Sequence, residues 1–106
     1  MAIKQEFSSF TDLISQSETP VLVDFYATWC GPCQIMAGIL EQLKGQMGDR
    51  VKIVKIDSDK YPELATEHHV YALPTLILFK DGKLVEKMEG VLPLDRLTEK
   101  LVGLGI

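Results

Sequence analysis

Apolar residues along the chain fall into blocks of two different periods, and the blocks alternate. Phe10, Leu13 and Ile14 recur at helical spacing, and Ser9 with Asp12 three residues later is spaced like a capping box, so a short first helix is expected to start there. Thr19 and Pro20 break it. Val21-Leu22-Val23-Asp24-Phe25-Tyr26-Ala27 is a nearly unbroken apolar run, as a strand covered on both faces requires, and predicts a central strand of a parallel sheet. After a turn at residues 28–32, Ile35, Met36, Ile39, Leu40, Leu43 and Met47 return at spacings of three and four. They mark an amphipathic helix ending near Gly48. Val51, Ile53, Val54 and Ile56 read as a second buried strand, and the polar residues 57–60 lead into a short helix over 62–68, completing a βαβ unit.

Residues 75–79 form another apolar strand, Asp81-Gly82 supplies a hairpin turn, and residues 84–89 alternate in part as the returning antiparallel strand. Behind Pro93, Leu94, Leu97, Leu101 and Leu104 lie along one face of a closing helix. Strands alternating with helices, then a hairpin and a helix, predict an α/β fold of three layers (α/β/α). A central mixed sheet of about four to five strands would be flanked by about four helices, with right-handed crossovers. No repeat, linker or low-complexity segment interrupts the pattern, so residues 1–106 are expected to form a single domain.

Composition sharpens this reading. With 106 residues, 46% of them hydrophobic, one core can be self-sufficient, which frees the two cysteines from a purely structural duty. A net charge of -4 and no basic run leave no electrostatic footprint for nucleic acid or anionic lipid, so neither is expected as a partner. Met1 to Phe7 carries Lys4 and Glu6 and no apolar stretch of signal-peptide length, and the longest apolar run is interrupted by Asp24. Two cysteines close in sequence favour a reducing compartment. The expected location is cytoplasmic, or an organelle interior for a chain whose transit peptide has been removed.

The candidate chemistry lies in Trp29-Cys30-Gly31-Pro32-Cys33, between the buried strand and the long helix. Cys30 falls at the helix N-terminus, where unpaired N–H groups and the helix dipole favour a thiolate. Cys33 lies about one turn further on, facing inward, with its sulfur beside that of Cys30 but away from solvent. Such a pair suits attack by one thiol and resolution by the other. Two plainer readings compete. A structural staple across so short a loop contributes about 2 kcal/mol, against about 3 for a fifteen-residue loop in the same model. A zinc site needs two further ligands, and the other candidate pair, His68-His69, is adjacent rather than separated as tetrahedral sites usually require. Those histidines read as a solvated helix end.

The run from Val21 to Cys33 closely resembles the active-site segment of the thioredoxin family. The likeness continues through Ala72-Leu73-Pro74-Thr75, Phe79-Lys80-Asp81-Gly82 and Gly90, covering nearly the whole chain. Ala27-Thr28-Trp29, Gln34 and the stretch from Lys55 to Pro62 look most like the y-type members of plastids and cyanobacteria, which adds the plastid stroma as an expected location. A lowered cysteine pKa and a reducing potential are established properties of this family. The resemblance implies a thioredoxin fold and a protein-disulfide reductase. Cys30 would be the nucleophile that forms a mixed disulfide with the target, and Cys33 the resolving thiol that leaves a Cys30–Cys33 disulfide. It also implies no bound cofactor and no metal, with electrons supplied by an NADPH- or ferredoxin-dependent thioredoxin reductase. The implied partners are that reductase and disulfide-containing target proteins, peroxiredoxins among them, acting on a monomer.

Further site residues follow from the same resemblance. Asp24 matches the family's proton acceptor for Cys33. A carboxylate between Val23 and Phe25 on a buried strand should have a raised pKa, the alternative being a tolerated buried polar residue. Lys55 corresponds to the family lysine that tunes this aspartate, or else snorkels at the surface. Pro74 matches the family's cis-proline, against a base rate of about 5–6% for cis X–Pro bonds, and would present the Leu73 backbone to an extended substrate segment. Trp29, Gly31, Pro32, Ala72, Leu73, Gly90 and Val91 would form an uncharged substrate-binding patch.

Two positions depart from the family pattern. Gly38 stands where a helix-kinking proline is usual, and Gln34 where many members carry lysine, so a slightly higher Cys30 pKa than in lysine-bearing relatives is expected. Competing functions are a secretory oxidase or isomerase, which usually has a histidine between the cysteines, and a non-catalytic adaptor that would act without Cys30.

Overall fold

The structure, a computed structural model, describes residues 3–106, with side chains from Phe10 onward. The apolar runs form one mixed sheet of four strands: β1 (Val21–Tyr26), β2 (Lys52–Asp57), β3 (Thr75–Lys80) and β4 (Lys83–Glu89), in the order β2-β1-β3-β4. β1 runs parallel to β2 and antiparallel to β3, with Asp24 opposite Lys55 on one side and Leu76 on the other. Among the described residues, four α-helices and a 3-10 turn at Gly48–Arg50 complete the fold: α1 (Ile3–Gln16), α2 (Gly31–Met47), α3 (Pro62–Glu67) and α4 (Leu94–Gly103). The expected layered architecture is therefore present, with four strands.

Strand alternation divides the core in two. Val21, Val23 and Phe25 of β1 with Ile77 and Phe79 of β3 pack against Phe10 and Ile14 of α1 and Leu64 and Ala65 of α3. Leu22, Leu76 and Leu78 point the other way, against Met36, Leu40, Leu43 and Met47 of α2 and Leu97 and Leu101 of α4. The β3–β4 hairpin turns at Asp81 and Gly82, whose φ values of 54° and 78° match the twist of paired strands.

Three sequence readings need correction. α1 begins at Ile3, so Ser9 lies inside its span rather than ahead of it, and the side chain of Ser9 falls outside the described residues. β2 is an edge strand, with Lys52 and Lys55 exposed and Ile56 its one buried residue, so it is only partly buried, with Ile53 and Val54 packing against the core on opposite faces of the sheet. His68 is no solvated helix end. Its ring packs among Phe10, Phe25 and Phe79 at centroid distances of 5.5, 5.8 and 5.7 Å. Met1 and Ala2, which belong to the segment read for targeting signals, lie outside the described residues.

Candidate active site

β1 ends against the start of α2, and the turn between them carries the dithiol motif. The Cys30 amide donates to the Ala27 carbonyl at 3.2 Å, closing that turn. Cys30 is the N-cap of α2, in extended backbone conformation, with Pro32 in the first turn, where its missing N–H is no loss. The backbone N–H of Cys33 donates to Cys30 Sγ at 3.2 Å. The side chain that caps this helix is thus a sulfur, held where N–H dipoles converge.

Cys30 and Cys33 form a disulfide, with Cα atoms 5.2 Å apart, in the ordinary range. Both are buried, yet Cys30 opens onto a groove lined by Trp29, Gly31, Pro32, Ser58, Val70, Tyr71 and Leu73. α2 runs through Gly38 as one helix to Gly48, and a Cβ at Gly38 would meet nothing within 4 Å.

The opposite wall comes from the segment before β3. The Leu73–Pro74 peptide is cis, Thr75 Oγ1 donates to the Ala72 carbonyl, and Gly90 N–H donates to the Pro74 carbonyl at 2.8 Å. Gly90 has φ 85°, a conformation that glycine adopts without steric cost. Of the residues expected in the contact patch, Trp29, Gly31, Pro32 and Leu73 share the groove with Cys30. Ala72 and Val91 are exposed outside its lining, and Gly90 reaches the site through Pro74. Gln34 is exposed on α2.

Trp29 stands at the surface, 71% exposed, and is not part of the core. Its indole Nε1–H donates to Asp59 Oδ2 at 2.8 Å, while Asp59 N–H donates to Asp57 Oδ1 at 2.9 Å. Asp59, Ser58, Val70 and Tyr71 are site residues that sequence reasoning missed. The contact to Asp59 spans thirty positions and leaves no local signal. Tyr71 had one, as a large aromatic outside any apolar period.

Asp24 is 1% exposed on β1, on the α2 side of the sheet. Burial pushes its pKa up to about 6, and the charge of Lys55 pulls in the other direction. Its Oδ1 has no hydrogen-bond partner. Lys55 is exposed, with Nζ 5.9 Å from the Tyr26 ring centroid, so it reaches water and still acts on Asp24 through space. Among the described residues, no three His, Cys, Asp or Glu side chains gather into a metal site, and no helix is long and apolar enough to cross a membrane.

A disulfide closed between the N-cap and first turn of a helix, with one of its cysteines lining a groove, is built for dithiol–disulfide exchange. Comparison with known proteins narrows that class. The thioredoxin family model matches residues 2–102, and the chain belongs to this family. It is 55% identical over 100 residues to chloroplastic thioredoxin Y2 of Arabidopsis thaliana, covering 94% of this chain and 60% of that relative. It therefore spans about three fifths of that relative's length. A thioredoxin-like protein of Synechocystis sp. is 52% identical over 101 residues, covering 95% and 96% of the two chains. Among solved structures, chloroplastic thioredoxin z superposes with a TM-score of 0.85 at 37% identity, over 92% of this chain and 88% of that one.

Proposed function

We propose that this chain is a protein-disulfide reductase working through Cys30 and Cys33. The observation that carries the reading is Cys30 at the N-cap of α2, its Sγ receiving the Cys33 N–H at 3.2 Å and the residue lining an open groove. A staple needs neither the amide nor the groove.

In the reduced protein, the Cys30 thiolate attacks one sulfur of a target disulfide. That bond breaks, a Cys30–target disulfide forms, and the second target sulfur leaves as thiolate. Cys33 then loses its proton and attacks Cys30 Sγ, forming the intramolecular disulfide and releasing the target with two electrons gained. Asp24 is the proton acceptor: with a pKa of about 6 it is mostly ionised at neutral pH, yet basic enough to take a proton, through water. Lys55 tunes it electrostatically. An extended target segment docks by pairing with the Leu73 backbone and resting on Trp29, Gly31, Pro32, Ala72, Gly90 and Val91.

A thioredoxin reductase, using NADPH or ferredoxin, restores the dithiol. Peroxiredoxins and other antioxidant enzymes are the proposed targets, and likeness to chloroplast and cyanobacterial relatives supports a plastid stroma or cytoplasm as the location. The protein acts as a monomeric single domain. Reduction of insulin disulfides by wild-type protein, its loss in Cys30→Ser, and a trapped mixed disulfide in Cys33→Ser are the expected results. Unimpaired function in Cys30→Ser would mean an adaptor instead.

A further inference from the structure

The loop between α3 and β3 forms one wall of the groove, and an anchor from another strand holds it. α3 ends with Val70 N–H donating to the Ala65 carbonyl at 2.9 Å and His69 N–H to the Thr66 carbonyl at 3.0 Å, the paired bonds of a helix-ending turn. Glycine usually occupies the left-handed position of that turn, since other residues crowd their own backbone there. Here it is His69, at φ 55°.

From β4, Lys87 Nζ donates to the His68 carbonyl at 3.3 Å and also to the His69 carbonyl. These carbonyls lie just past the end of α3, where the helix dipole favours a cation. His69 Nδ1 in turn shares a hydrogen bond of 3.2 Å with the Tyr71 hydroxyl. Tyr71 lines the groove beside Cys30 and is 79% exposed, so packing does little to fix its ring. The contacts form one series: β4, Lys87, His69, Tyr71, groove.

We infer that Lys87 is a positioning residue for target binding, tying the end of α3 to β4 and thereby fixing the Tyr71 wall of the groove. The inference rests on the reductase reading of that groove. Lys87 touches neither sulfur. Without it the loop must be ordered each time a polypeptide docks, so the loss falls on binding and not on the chemical step. A small disulfide that reaches Cys30 without using the wall is unaffected.

The test compares insulin with the small aromatic disulfide DTNB as substrates for wild type, Lys87→Met, Lys87→Arg and Tyr71→Ala. KM for insulin is expected to rise about three- to tenfold in Lys87→Met, with kcat within about twofold and DTNB reduction unchanged. Lys87→Arg, which keeps donors at the carbonyls, restores KM. Tyr71→Ala raises KM alone, and Lys87→Met adds nothing to it, as residues in one series should behave. If Lys87→Met does not fold, Lys87→Ala carries the same comparison.

An unchanged insulin KM, an equal loss on both substrates, a failed arginine rescue, or additive effects of the two changes would each overturn the inference. Wild-type protein that reduces neither substrate removes the reductase reading, and this inference with it.

Discussion

On each face of the sheet a titratable side chain sits among apolar neighbours, His68 on one and Asp24 on the other, and the two are treated oppositely. On the α1–α3 face, the His68 ring meets three phenylalanines, and its Nδ1–H donates to the Leu64 carbonyl at 2.9 Å. On the α2–α4 face, Asp24 is more deeply buried and its Oδ1 has no partner. A polar group whose bonds are satisfied within the packing belongs to the fold. One left unsatisfied costs stability, a cost that fits the proton-acceptor role proposed for Asp24.

The largest effect expected from this contrast is at Asp24. The unfolded carboxylate loses its proton near 3.8 and the folded one only near 6, so native protein binds that proton more tightly. The stability linked to Asp24 is complete below pH 3.8 and is lost as pH rises through 6. The gap between the two values corresponds to about 3 kcal/mol at higher pH. In denaturant titrations, Asp24→Asn should therefore exceed wild type by about 2–3 kcal/mol at pH 8 and converge with it at low pH, while insulin reduction slows. Parallel pH profiles would break the contrast.

A smaller effect is expected on the other face. His68→Ala should lose about 2 kcal/mol through the vacated space among the rings, with kcat on insulin unchanged. A loss of kcat without a loss of stability would reverse the assignment of the two groups. The smallest effect comes from the surface. Gln34→Lys places a cation on the exposed side of α2 and should move the pH midpoint of Cys30 alkylation downward, solvent screening keeping the change modest. Equal midpoints would show that the helix terminus alone sets the thiol.

What was legible in the sequence was whatever depends on near neighbours. β1, α2, the Asp81-Gly82 hairpin and α4 follow from runs and periods, and Cys30 at a helix start follows from adjacency. The start of α1 was also written in the chain, since Ile3, Phe7, Phe10 and Ile14 recur at spacings of four, three and four. The resemblance of Ser9 and Asp12 to a cap obscured it. β2 was misread because an apolar strand does not state how many neighbours it has. The exposed Lys52 and Lys55 were the sign of an edge. His68 among Phe10, Phe25 and Phe79, Trp29 on Asp59, and Lys87 across to His69 join distant parts of the chain, and no local pattern encodes such meetings. In the site, the family likeness supplied the roles expected of Asp24 and Pro74, which residue types alone do not.

The Cys33 amide points at Cys30 Sγ while that sulfur is still locked in a covalent bond. The dipole is therefore oriented before there is any charge for it to meet. Water around a free thiol must turn to face each newly formed anion and turn back when it is quenched, whereas a peptide unit in a helix keeps its heading throughout. In that sense α2 acts as a solvent with no reorientation of its own, and the sulfur can gain and lose charge many times with the backbone standing still.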